Sequence, residues 1–260
     1  MTKIVKVCWL LFQSRLTEMI EYRLNFLVWM IIPGLQMLLI FSVWSYFRPE
    51  SFTDHLWQFY VLTGLISGFT MQSEYAQMSK DIRTGFFSYY LVQPFPYFMR
   101  FISSDLASSV LRIVLISFTI WLISREYLSI VQLSVAPIHI LMGLPMLLLG
   151  RIMASLVFFL MGCITFIWTQ PNSLYLVLEI ILPLFVGAKL PLWLLADHWL
   201  YFLNFLPTRW MVSMPAEILV GLPISFGSVL FSGIIWMVLL SILSWFIWRH
   251  VLVLYEAVGS

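Results

Sequence analysis

Several long stretches of this 260-residue chain carry no Asp, Glu, Lys or Arg: Leu24 to Phe47, His55 to Ser73, Tyr127 to Gly150, Ile152 to Leu178 and Ile218 to Trp248. A helix rises about 1.5 Å per residue, so ~20 apolar residues cross the hydrocarbon core of a bilayer. Backbone polar groups in lipid must be satisfied within the segment, which makes these runs helices. A transmembrane barrel would need short segments of alternating polarity, and that alternation is absent. With 62% hydrophobic and 10% charged residues, the chain is unsuited to water as its main solvent. The fold class predicted is all-α integral membrane.

Six spans are expected, at about 24–47, 57–78, 101–124, 143–169, 174–188 and 226–248. Pro33 and Gly34 kink the first; the fourth lies in a stretch too long for one perpendicular crossing, so residues around Pro137 and His139 are expected along the outer surface. Before the spans, residues 1–22 read as an amphipathic helix in the membrane interface, with Ile4, Val7, Cys8 and Leu11 on one face, or else as the irregular start of the first span. Gln13, Arg15, Glu18 and Glu21 interrupt the stretch too early for a signal peptide. Between about 188 and 222 prolines and charges recur: Pro191, Pro207, Pro215, Lys189, Asp197, Arg209 and Glu217. That density excludes a straight span and predicts short re-entrant or interfacial helices, anchored by Trp193, Trp199, Tyr201 and Trp210. Residues 1–260 then form a single transmembrane domain.

Basic residues in short loops mark the cytoplasmic side. Lys3, Lys6, Arg15, Arg23, Lys80, Arg83, Arg100 and Arg249 fall there if the N-terminus is inside, and an even number of crossings returns the C-terminus to that side. The location expected is the cell membrane, multi-pass, in a bacterium the inner (cytoplasmic) membrane.

Most catalytic chemistry is excluded. No G-x-x-x-x-G-K-[ST] phosphate loop, H-E-x-x-H zinc motif or G-x-S-x-G nucleophile elbow occurs, and the histidines at 55, 139, 198 and 250 stand singly. A net charge of +2 without a basic block gives no footprint for nucleic acid. Cys8 and Cys163 are expected to be unpaired packing residues. No catalytic, metal or cofactor site is predicted in the chain.

The segment from Lys80 to Pro96 is charged at its start and then crowded with Phe86, Phe87, Tyr89, Tyr90 and Leu91. It predicts a short amphipathic helix stopped near Pro94, docking into a groove on a soluble partner or lying in the lipid headgroups. Arg112 and Arg151 sit near mid-bilayer, where charges are costly. Either they line a transport route, favouring an anionic or amphiphilic substrate, or they pair with Glu179, Asp105 or free carbonyls to fix helix packing. Asp105 and Arg112 are seven apart, two turns along one helical face.

Ile82-Arg83-x-Gly85 followed by Leu91-Val92-Gln93-Pro94 resembles the signature after the second span of type-2 ABC (ATP-binding cassette) exporter permeases. Phe185 to Ala188 with Leu190, Pro191 and Trp193, then Phe205-Leu206-Pro207, Pro215 and Ile218 to Gly221, is similar to the family's outer segment, and Tyr255 to Gly259 resembles its terminal Tyr-x-x-x-Gly. Gln93 departs from the pattern, standing where a basic residue is expected. The resemblance implies a permease paired with a second permease, identical or related, and with separate ABC subunits that bind ATP and Mg. Ile82, Arg83, Gly85, Phe86, Phe87, Tyr89, Leu91 and Pro94 would couple to the ATPase. The rival readings are a non-transporting membrane scaffold and an ion-coupled secondary carrier.

Overall fold

The structure is a computed structural model that describes residues 2–21, 35–36, 39–40, 42–43, 46, 53–71, 74–126, 135–168 and 171–255. Most of the expected first span, with Pro33 and Gly34, lies outside the described residues, as do 256–260 of the terminal motif. Every described element is helical: α1 Thr2–Glu21, α2 Thr53–Thr70, α3 Glu74–Arg83, α4 Phe87–Val92, α5 Tyr97–Glu126, α6 Pro137–Cys163, α7 Asn172–Phe185, α8 Asp197–Asn204, α9 Ser213–Val220 and α10 Phe226–Leu254. Three of the described helices are long and apolar enough to cross a membrane: Tyr97–Leu122, Pro137–Phe166 and Phe226–Val253. Helix α7 is apolar but shorter, and α2 is diluted by Asp54, His55, Gln58 and Thr63.

The boundaries depart from expectation for local reasons. The second span was expected to continue to about residue 78, but α2 stops at Thr70 and a new helix begins at Glu74. Helix α5 starts at Tyr97 because Pro96 closes the preceding turn, its carbonyl accepting from the amides of Met99 and Arg100. Helix α6 starts at Pro137, whose missing N–H costs nothing in a first turn, so Pro137 and His139 belong to the helix and not to a separate surface segment. It also ends early, at Cys163, passing into a 3-10 turn at Ile164–Phe166. Helix α10 runs to Leu254, about 43 Å in 29 residues, so it is longer than a perpendicular crossing requires.

Helix α6 is the centre of the molecule. Two-thirds of its most apolar window (67%) is buried, against 11% for α10, whose Phe231, Leu239, Ile242 and Trp245 face outward as lipid-facing residues do. Against α6 pack α2, α3, α9, α10 and the 3-10 turn Pro207–Met211. Helices α2 and α5 approach through Gly64 and Gly68, spaced one turn apart, with Ile116 lying over both.

The prolines of 188–222 stand where a helix tolerates them: Pro207 opens its 3-10 turn and Pro215 is third in α9. Helix α9 ends at Gly221 (φ +89°), with the amide of Leu222 reaching the Glu217 carbonyl at 3.1 Å, a left-handed glycine cap. Nearly all of α9 is buried, and Arg209 reaches Glu217 at 2.6 Å inside it. Of the expected aromatic anchors, Trp199 and Tyr201 face outward. Trp210 instead turns into the core, donating from Nε1 to the Val229 carbonyl at 3.1 Å, and Trp193 packs edge-on to Phe59.

Gly150 makes the turn at 207–211 possible. A Cβ there would collide with the Trp210 carbonyl and sit 3.1 Å from that of Met211, both backbone atoms. Gly150→Ala is expected to cost about 1–3 kcal/mol. Gly162→Ala, which meets only the flexible Met78 side chain, is expected to cost less. Thermal unfolding of the two variants in detergent checks the ranking.

Candidate functional site

The aromatic segment divides by helical periodicity. Gly85 (φ +75°) turns the chain between α3 and α4, a conformation that favours glycine over residues with a Cβ. From there Arg83, Phe86, Tyr89 and Val92, three apart, point outward, as do Leu91 and Pro94, while Ile82, Phe87 and Tyr90 are buried. A single inserting face containing all of the aromatics is therefore not what forms. Phe87 is fully enclosed by the rings of Tyr97, Phe166, Trp248 and Tyr255 at 4.8–6.0 Å. These come from the start of α5, the turn after α6 and the end of α10. Tyr255 also reaches the Gly85 carbonyl at 3.5 Å. Arg100 lies over the Tyr90 ring at 3.9 Å and donates to its hydroxyl. Asp81, buried and accepting from Gln77 at 2.9 Å, has a carboxyl raised above its usual range by burial.

The two mid-membrane arginines converge on the break after α2. The last carbonyls of a helix have no partner within it. Here the Phe69 carbonyl accepts from Arg151 Nη1 and the Gly68 carbonyl from Arg112 Nε, at 3.2 Å for the latter. Asp105 is fully buried between them, ion-paired to Arg151 and 3.6 Å from Arg112, and Ser109 Oγ accepts from both guanidiniums at 3.0 and 3.2 Å. On the far side of the break Glu74 begins α3, where a carboxylate suits a helix N-terminus. It accepts from Ser104 and Ser108 at 2.8 Å and from Arg15 of α1 at 3.2 Å. Side chains from α5 and α6 thus take up carbonyls at the end of α2, while α1 and α5 hold the carboxylate that opens α3.

Glu179 lies apart from that cluster. It accepts from the Tyr75 hydroxyl and lines a cavity of about 370 Å³ together with Arg112, Lys189, Gln36, Tyr60 and Thr63. Pro191, Trp193, Pro207 and Pro215 stand away from both groups, in the segment that carries the Arg209–Glu217 pair. Sequence reading gave no separate place to Glu74 or to the Arg209–Glu217 pair. The acidic residue immediately after an apolar run was the available signal for Glu74.

Among the described residues no cluster of His, Cys, Asp or Glu is disposed to hold a metal, and both cysteines are free. Comparison with curated proteins and with solved structures gives no match. The family model described as ABC-2 family transporter protein matches residues 20–259. With three long apolar helices, a helix interrupted by buried charges and a family match over nearly its whole length, this membrane protein belongs to the ABC-2 transporter family.

Proposed function

We propose that the chain is the permease subunit of an ATP-driven exporter, with six spans and with residues 188–222 forming a re-entrant outer segment. Separate ABC subunits bind ATP and Mg, and a second permease, identical or related, completes the transporter. Both termini are cytoplasmic, α1 lies in the inner leaflet interface, and in a bacterium the complex sits in the inner membrane. What supports this reading is the two-faced element at 82–94: an outward row of Arg83, Phe86, Tyr89 and Val92, backed by Phe87 locked among rings from three other parts of the chain. A partner gripping the outer row moves Phe87, and through it the ends of α6 and α10. ATP drives transport only if the ATPase binds the two permease states with different affinity.

The test is co-purification with a candidate ATP-binding subunit carrying a Walker phosphate loop, sought first in the reading frames adjacent to this one. Phe86→Ala with Tyr89→Ala is expected to weaken retention of that subunit at least tenfold, as loss of central aromatic anchors does, without changing the melting temperature of the permease. Full retention by the double variant, or labelling of Phe86→Cys by an impermeant maleimide added outside the cell, would overturn the assignment.

A further inference from the structure

We infer that the cavity between α2, α5 and α7 binds an amphiphile carrying one negative charge, which makes it a substrate or lipid site of the permease proposed above. Among the described residues three charged side chains line the cavity, the cations Arg112 and Lys189 and the anion Glu179. Behind the wall Arg112 shares Asp105 with Arg151, so one carboxylate serves two guanidiniums. Glu74, the next carboxylate, is held by Arg15, Ser104 and Ser108, and Arg15 is held in turn by Glu18. Glu179 offsets one of the two lining cations, so the described lining keeps a positive excess. A cavity wall with a positive excess, away from water, favours an anionic occupant over a neutral or cationic one.

Arg112 is the cation that can be reached. Its Nε and Nη2 are taken by the Gly68 carbonyl and by Ser109, yet the residue forms part of the cavity wall and its Nη1 has no hydrogen-bond partner among the described residues. Arg151, more deeply packed, spends both terminal nitrogens on Phe69, Ser109 and Asp105. The rest of the wall selects the body of the ligand. Ile40, Met71, Ile116, Ile120 and Pro183 make it mainly apolar, and about 370 Å³ lies at the small end of ligand cavities. A free inorganic anion would leave those walls unfilled, and a neutral hydrocarbon would leave Arg112 unanswered.

The test uses the purified full chain in phosphatidylcholine nanodiscs, with empty nanodiscs as background and radiolabelled laurate, dodecanol and dodecylamine as chain-matched probes. Laurate is expected to bind at least tenfold more tightly than either of the others. Arg112→Met and Lys189→Met are each expected to weaken laurate at least fivefold and to leave dodecanol unchanged. Because Arg112 also holds a backbone carbonyl, Lys189→Met decides the matter if Arg112→Met does not fold; the Lys189 side chain makes no hydrogen bond among the described residues. Displacement of laurate by phosphatidylglycerol in the disc assigns the site to an anionic lipid, and persistence of laurate assigns it to a single-chain amphiphile. Equal binding of the three probes, tighter binding of dodecylamine, or laurate binding unaffected by Lys189→Met overturns the inference. The assay contains neither ATP nor an ATPase, so its failure leaves the permease reading standing, and loss of ATPase retention leaves this inference standing.

Discussion

Asparagine in place of Asp105 is expected to lower the melting temperature of the detergent-solubilised protein sharply, with a loss of about 3–5 kcal/mol. The magnitude follows from what remains. Asp105 is fully buried, and removing its charge leaves Arg112 and Arg151 facing one another across Ser109 without an anion between them. Their repulsion also loosens their hold on the carbonyls of Gly68 and Phe69, so the end of α2 loses its caps. The variant carrying Asp105→Leu, Arg112→Met and Arg151→Met together is expected to recover a large part of the loss, because an apolar replacement of a buried ionic group costs less than half of one. Thermal unfolding followed by tryptophan fluorescence separates these outcomes. An Asp105→Asn protein that melts like the native one would show that the cluster does not hold the helix break together.

Phe87→Ala is expected to be of similar severity, about 3–5 kcal/mol, for a different reason: a fully buried phenyl ring leaves a cavity where four segments meet. Its neighbours Tyr97, Phe166, Trp248 and Tyr255 cannot collapse inward together, being fixed at the ends of separate helices. The comparison with Phe86, one residue away and half exposed, is the informative one. Alanine at 86 is expected to leave the melting temperature within about 0.5 kcal/mol of native, and alanine at 87 to lower both stability and retention of the ATP-binding subunit. If Phe87→Ala melted like Phe86→Ala, the ring would not be anchoring the element.

Much of the architecture was legible in the sequence because burial in lipid leaves a mark that depends on composition alone. The runs that became α5, α6 and α10 are recognisable without knowing what they touch. The interruption of α2 was not, since His55 to Ser73 contains neither proline nor charge. What permits the break is supplied from 30 to 82 residues away, by Ser104, Ser108, Arg112 and Arg151. The pairing of Asp105 with Arg112 could be suspected from their spacing, whereas Arg151 joins them only by tertiary packing. At the aromatic element the pattern was ambiguous for a plain reason. Phe86 with Tyr89 and Phe87 with Tyr90 are both aromatic pairs at helical spacing, so hydrophobicity cannot say which turns inward. Rings contributed by α5, α10 and the turn after α6 decide it.

The back-to-back arrangement of Phe86 and Phe87 has an evolutionary corollary. Arg83, Tyr89 and Val92 are exposed, and Phe86 merely rests on Tyr89 and Tyr90. If this row docks the ATP-binding subunit as proposed, mutation can rewrite the address label for a new motor while the keystone behind it stays in place, letting duplicated permeases acquire different engines without relearning how to fold.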